Sequence, residues 1–179
     1  MKKVDPKLIV VLTVIMICSA TVLTFLHRVT EPQIEAHAQR AKEEAIKQVL
    51  PGTAEFDEVT KGELTLYRGL DETGSVVGHA LEKGKRGYQE DVVLMIGFDL
   101  EDQIIMGIEI LDHAETPGLG ARIEEEEFRG QFQNQPLTAS FQINQDVDAI
   151  SGATISSEAV VEIVKEAAVE IQEAQRGNE

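Results

Sequence analysis

A single cysteine, Cys18, stands in 179 residues, so this chain alone holds no internal disulfide, no cysteine-rich zinc site and no iron–sulfur cluster. Tryptophan is absent, and six phenylalanines and two tyrosines are too few for an aromatic base-stacking platform. Positive charge is scarce as well: 16 Lys and Arg face 32 Asp and Glu, a net charge of −16. Binding a phosphate backbone needs concentrated positive charge, so this balance argues against nucleic acid as a partner. What is there is an ordinary globular mixture, 42% hydrophobic and 27% charged, at a length suited to one domain with an appendage.

The hydrophobic residues are unevenly spread. Leu8 to Leu26 runs for nineteen residues without a charge. As an α-helix that run is about 28 Å long, against a hydrocarbon core of about 30 Å. Its Ser and Thr hydroxyls can bond back to the helix backbone, so they do not spoil a membrane span. A cleaved signal peptide is the competing reading, because Cys18-Ser19-Ala20 offers small residues for cleavage. The apolar run continues for six residues past Ala20, which favours an uncleaved anchor. A lipoprotein site at Cys18 would have Ile17 where a small residue is expected.

Lys2, Lys3 and Lys7 precede the span, offset by Asp5, and Arg28 stands at its far boundary. Residues 28–179 carry 13 basic and 31 acidic side chains. The positive-inside bias therefore expects residues 1–7 in the cytoplasm, 8–26 as a single-pass anchor in the cytoplasmic (inner) membrane, and the large domain outside. Residues 27–59 read as a helical linker and 60–179 as the domain.

Within the linker, Thr30 could cap a helix that Ile34, Ala38, Ala41, Ala45 and Val49 carry at helical spacing, and Pro51-Gly52 ends it. Leu64–Tyr67 and Ser75–Gly78 flank the turn cluster Asp71–Gly74. Val92–Ile96 and Ile104–Leu111 follow, joined through Asp99–Gln103, too short a connection for a parallel crossover. Ile123–Phe132 reads as an acidic helix with Phe128 and Phe132 on one face. Ser156–Gln175 reads as a closing helix with the apolar stripe Val160, Ile163, Val164, Ala167, Ala168 and Ile171. The expected class is α+β: an antiparallel sheet packed with helices, preceded by one N-terminal transmembrane helix.

The four histidines (His27, His37, His79, His113) lack metal-ligand spacing, and the run Glu124–Glu127 reads as a solvated face, since consecutive helical residues point apart. Two glycine-containing segments stand out instead. In Glu115-Thr116-Pro117-Gly118-Leu119-Gly120, Pro117-Gly118 enforces a tight turn and Gly120 permits a close backbone approach. Such a loop could hold a planar polar ligand or be only a turn. In Asp148-Ala149-Ile150-Ser151-Gly152-Ala153-Thr154, small residues directly precede the last helix. A helix N-terminus offers free N–H groups and a partial positive charge, a place where phosphate binds; alternatively, Thr154 simply caps the helix.

Taken together, DAISGAT resembles the Asp-x-x-Ser/Thr-Gly-Ala-Thr/Ser flavinylation motif of FMN-binding domains. ETPGLG, behind a strand and His113, resembles their second signature, and Gly87-Tyr88 before a strand also follows the pattern. The resemblance covers roughly residues 60–175 (the 60–179 domain). With one anchor and short length, the chain resembles the G-subunit family of Rnf-type electron-transport complexes. The C-subunit family of sodium-translocating NADH:quinone reductase shares the domain in a longer chain.

The resemblance implies FMN joined as a phosphoester to Thr154 by an ApbE-type flavin transferase that uses FAD. It implies Ser151, Gly152 and Ala153 around the phosphate, and Glu115, Thr116, Gly118 and Leu119 against the flavin. Asp148 would belong to transferase recognition. The implied role is an electron-carrying subunit of an ion-translocating ferredoxin:NAD oxidoreductase, working with other membrane subunits of the complex and catalysing no complete turnover alone. A free-standing anchored flavoprotein feeding an extracellular acceptor, and an anchored binding module without redox chemistry, remain the alternatives.

Overall fold

The computed structural model describes residues 6–61 and 64–176, and the chain divides into two compact units, Met1–Arg40 and Ala41–Glu179. Helix α1 runs Pro6–Val49. In the first unit its apolar side chains, Leu8 through Val29, are exposed, and the helix is long and apolar enough to cross a membrane. Thr13, Thr21 and Thr24 donate their hydroxyls to the carbonyls of Ile9, Ile17 and Ala20, each at 2.8 Å. These polar groups are thereby satisfied without water, as a membrane span requires.

The sequence places a helix start at Thr30, and there the structure differs. Thr30 lies inside α1 and donates to the carbonyls of Leu26 and His27 at 3.0 and 3.2 Å instead of capping. Pro32 is accommodated within the helix. Cap and proline signals mark helix starts only where the preceding residues leave the helical conformation.

The second unit is built on a five-stranded antiparallel meander: β1 (Glu55–Lys61), β2 (Leu64–Leu70), β3 (Val76–Arg86), β4 (Asp91–Asp99) and β5 (Ile104–Asp112), in that spatial order. Strands β2 to β5 arise where the apolar, β-like segments predict them. The β2–β3 turn is held by Asp71, whose Oδ1 accepts the N–H groups of Thr73 and Ser75 at 2.8 and 2.9 Å. The Thr73 hydroxyl, which also donates to Oδ1, and then these backbone bonds hold the Asp71 carboxyl below its usual range. Strand β1 is the one the sequence hides. Its segment EFDEVTK carries four charges in seven residues, as an edge strand tolerates. The compact unit begins at Ala41 and takes in the end of α1 as well as β1.

Both faces of the sheet are covered. On one, Ala45, Ile46, Val49 and Leu50 from the end of α1 bury against Ala80 and Met95. On the other lies α3 (Thr154–Arg176), whose Val160, Ile163, Val164, Ala167, Ala168 and Ile171 pack on Leu81, Leu94, Ile96 and Phe98. Interior strand β4 is therefore buried almost continuously instead of alternating. At the edge of this contact Lys83 pairs with Glu170 at 2.7 Å, and Lys85 pairs with Glu162 and Glu166 at 2.9 and 2.6 Å. The Lys85 ammonium keeps the Glu166 carboxyl below its ordinary range.

Between β5 and α3 the structure corrects one more expectation. Ile123–Phe132 is not a single helix: a 3-10 turn, Gly120–Glu124, gives way to a one-turn helix α2, Glu126–Arg129, and a second 3-10 turn, Gly130–Phe132. Glu125 adopts extended backbone (φ −67°, ψ 139°) and breaks the run. Phe128 and Phe132 still meet edge to face, centroids 5.7 Å apart.

Candidate functional site

The start of α3 is shaped by its own serines. Ile150 to Ala153 forms a tight turn, with the Ala153 N–H donating to the Ile150 carbonyl at 2.9 Å and Gly152 at φ +82°. A side chain at that φ is strained, which is why glycine stands there. Ser157 locks the turn: its Oγ accepts the Ile150 N–H and donates to the Ala153 carbonyl, both at 3.0 Å. The Ser157 N–H also donates to the Ala153 carbonyl, so Thr154 is the first helical residue and not the cap. Thr154 is exposed, and among the described residues none hydrogen-bonds to its hydroxyl. The N–H groups of Thr154, Ile155 and Ser156 are the unpaired donors that every helix leaves in its first turn.

Facing this turn is the loop after β5. Glu115 is buried within it. Its Oε1 accepts the N–H groups of Tyr88 and Gln89 at 2.7 and 3.2 Å, and its Oε2 accepts the Ser156 hydroxyl at 2.6 Å. The Glu115 N–H donates to His113 Nδ1 at 3.1 Å, which leaves the ring hydrogen on Nε2, facing Glu124 Oε1 at 3.0 Å. The Thr116 carbonyl accepts the N–H groups of Leu119 and Ala121, closing the turn around Pro117-Gly118. Gln89 Nε2 donates to the Thr116 hydroxyl at 2.9 Å, so that hydroxyl keeps its own hydrogen for another acceptor.

The two loops and the Gly87–Glu90 turn enclose a cleft of about 480 Å³ lined by Tyr88, Glu115, Thr116, Leu119, Gly120 and residues 152–156. Tyr88, Leu119 and Ile155 are 63%, 47% and 51% exposed there, an apolar rim beside unpaired helix donors. That volume lies within the range of small-molecule sites. Six predicted site residues line this one cleft: Glu115, Thr116, Leu119, Gly152, Ala153 and Thr154.

Three others lie elsewhere. Asp148 and Ser151 line a separate depression of about 200 Å³ with Gln131 and Phe128, and Gly118 faces a third hollow beside Arg122. Gln131 grips Asp148 from both sides, accepting its N–H at 2.7 Å and donating to its carbonyl at 3.3 Å. Ile155 and Ser156 lie in the cleft without having been read from the sequence, although the two positions after Thr154 in a helix share its first turn. Among the described residues, no group of three or more His, Cys, Asp or Glu could hold a metal ion. Glu124, Glu125 and Glu126 are instead paired with His113, Arg122 and Arg129.

These features fit a flat phosphate-bearing ligand on two counts. Backbone donors and an unengaged hydroxyl stand at one end of the cleft, and an apolar rim flanks the rest. A family model described as FMN-binding domain matches residues 87–169. The chain is 38% identical over 96% of its length to the G subunit of the ion-translocating oxidoreductase complex of Methanosarcina acetivorans, covering 96% of that protein. It is 30% identical to the G subunit of the Na(+)-translocating ferredoxin:NAD(+) oxidoreductase complex of Acetobacterium woodii, over 88% of this chain and 87% of the relative. A proton-translocating counterpart from Clostridium ljungdahlii is 24% identical over 89% and 88%. The crystal structure of Shewanella oneidensis NqrC superposes with a TM-score of 0.50 at 16% identity, covering 64% of this chain and less than two thirds, 63%, of that one. It supports the fold alone.

Proposed function

The chain belongs to the G-subunit family of ion-translocating oxidoreductase complexes, and from that premise we propose that it carries FMN covalently on Thr154. The observation that carries this reading is the exposed Thr154 hydroxyl, unengaged by any described residue, on the first turn of α3 and at the mouth of the cleft. When bound, FMN supplies the electron chemistry.

The residues of this chain do the rest. The first-turn amides and the positive end of α3 receive the phosphate; Gly152 and Ala153 leave its approach open. Tyr88, Leu119 and Ile155 give the ring apolar walls, and the Thr116 hydroxyl faces it as a donor. Asp148 and Ser151, on the other side of the attachment loop, belong to the surface an ApbE-type transferase reads. An ester to the chain retains the flavin outside the cytoplasm, the side that the lysines ahead of the anchor favour for the domain. There it would pass electrons between other membrane subunits of an Rnf-type complex.

The test is mass spectrometry of the full chain co-expressed with a flavin transferase, joined to in-gel fluorescence after denaturation. An FMN-sized adduct on the peptide containing Thr154 is expected; fluorescence lost on denaturation would overturn covalency. A reporter active only after export, fused after Glu179, should be active. A silent export reporter with an active cytoplasmic one would invert the topology.

A further inference from the structure

Among the described residues Glu115 is the one acidic or basic side chain that is fully buried, 5% exposed. No Lys or Arg among them pairs with it. A buried carboxylate without a cation is costly unless its oxygens are fully supplied with donors. Here they are supplied by three donors from two other segments: the N–H groups of Tyr88 and Gln89, and the hydroxyl of Ser156.

The surrounding backbone is cut to make room for this group. A Cβ on Gly87 would stand 2.5 Å from Glu115 Oε1, and one on Gly120 would stand 2.6 Å from Oε2 and 2.7 Å from the Ser156 hydroxyl. Two glycines from separate loops thus border the same carboxylate. The backbone of Glu115 is anchored as well, through its N–H on His113, whose ring reaches Glu124.

The three segments so joined are those that form the cleft. Tyr88 supplies one wall, the Glu115 loop supplies Thr116 and Leu119, and Ser156 shares the first turn of α3 with Thr154. We propose that Glu115 is a positioning residue for flavin attachment and ring seating, acting through Ser156 and the Tyr88 turn and not as a direct ligand of the cofactor. Its carboxylate is the brace that fixes the Thr154 hydroxyl and the first-turn amides relative to the ring walls. This rests on the flavin reading above.

The experiment uses the full chain in detergent, with and without co-expressed transferase, as wild type, Glu115→Ala, Glu115→Gln and Ser156→Ala. Three quantities are read: amide hydrogen exchange at residues 87–90 against β4, the rate of FMN attachment, and the absorption and fluorescence of the attached flavin. Glu115→Ala should speed exchange at Tyr88 and Gln89 by about tenfold or more, the factor expected on losing a hydrogen bond to a charged group, with β4 unchanged. Attachment should slow by a similar factor, and the flavin spectrum should shift toward that of free FMN. Glu115→Gln keeps an acceptor for Tyr88 and Gln89 and should recover most of the attachment rate.

Wild-type exchange, attachment and spectrum in Glu115→Ala would overturn the brace. If Glu115→Ala also loses protection in β4, Ser156→Ala decides, since it removes one bond of the three: slowed attachment on an intact fold supports the brace, and wild-type attachment overturns it. If the wild type takes up no FMN while exchange at 87–90 still responds to Glu115→Ala, the flavin reading fails and the brace stands as structure.

Discussion

The two loops that meet at the cleft solve opposite problems. The Ile150–Thr154 turn leaves its chemistry unspent: Thr154 is exposed, and the N–H groups that follow have no partner within the helix. The Glu115–Gly120 loop spends nearly everything, with both Glu115 oxygens, its N–H and the Thr116 carbonyl all engaged. A segment that must receive a group from another protein needs open donors. A segment that must hold a ring against a wall needs rigidity. Substitutions in the first loop should therefore decide whether the flavin is attached at all, and substitutions in the second should change stability, the rate of attachment and how the flavin behaves.

The largest effect belongs to Thr154. Thr154→Val preserves the β-branched shape but removes the only atom that can form the ester, so the adduct should vanish completely by mass spectrometry. Thr154→Ser should still accept it. An adduct on Thr154→Val of unchanged mass and yield would move the attachment point elsewhere. Gly152→Val comes next. The Cβ itself would meet only Leu119 Cδ2 at 3.4 Å, so contact is not the obstacle. The backbone is, because φ +82° costs a branched residue about 1–3 kcal/mol and the turn should reopen to relieve it. Attachment should fall to a small fraction of wild type although Thr154 remains; full loading of a folded Gly152→Val protein would show that turn geometry is irrelevant.

Gly120→Ala probes the second loop and should act on stability. Its Cβ would press on Glu115 Oε2 and the Ser156 hydroxyl at 2.6 and 2.7 Å. Overpacking of this kind costs about 1–3 kcal/mol, to be read as a lower denaturation midpoint. Gly118→Ala sharpens the contrast. Nothing lies within 4 Å of its Cβ, and only the backbone strain at φ +74° remains, about 1–2 kcal/mol. Wild-type stability in Gly120→Ala would mean that the close approach around Glu115 carries no weight.

The same contrast explains what was legible in the sequence. Motifs that act through local backbone could be read directly: the small residues before α3, the apolar stripe along it and strands β2 to β5 all carry their pattern within a few positions. What depends on distant partners could not. Strand β1 is charged and becomes a strand only by pairing with β2, so no periodicity announces it. The break at Glu125 overrides four glutamates that read as helical. Glu115 stands in a recognisable motif, yet its partners Tyr88 and Ser156 lie 27 and 41 residues away. Its neighbours in ETPGLG invite reading it as a ligand; only the fold shows both oxygens occupied. Thr30 and Pro32 carry the signals of a helix start, but α1 was already helical when it reached them.

The smallest effect on loading and stability should come from Thr116, and it separates holding the flavin from tuning it. Thr116 is far from Thr154 in sequence but lines the same cleft, and its hydroxyl accepts from Gln89 while its hydrogen stays free. Thr116→Val keeps the shape, so the turn should persist. The freed Gln89 amide is exposed enough to find water, and the stability change should be slight. Thr116→Val leaves the turn before α3 and the three bonds to the Glu115 carboxylate in place, so the adduct should form in full. What changes is one donor to a ring that gains charge on reduction. A hydrogen bond to a charged group contributes about 1.5–3 kcal/mol, which for a two-electron couple is about 30–60 mV. Losing it disfavours the reduced form, so a redox titration of Thr116→Val should show a midpoint lower by that amount. A titration superimposable on wild type would take Thr116 out of contact with the ring and leave its loop as a wall held in place by Glu115.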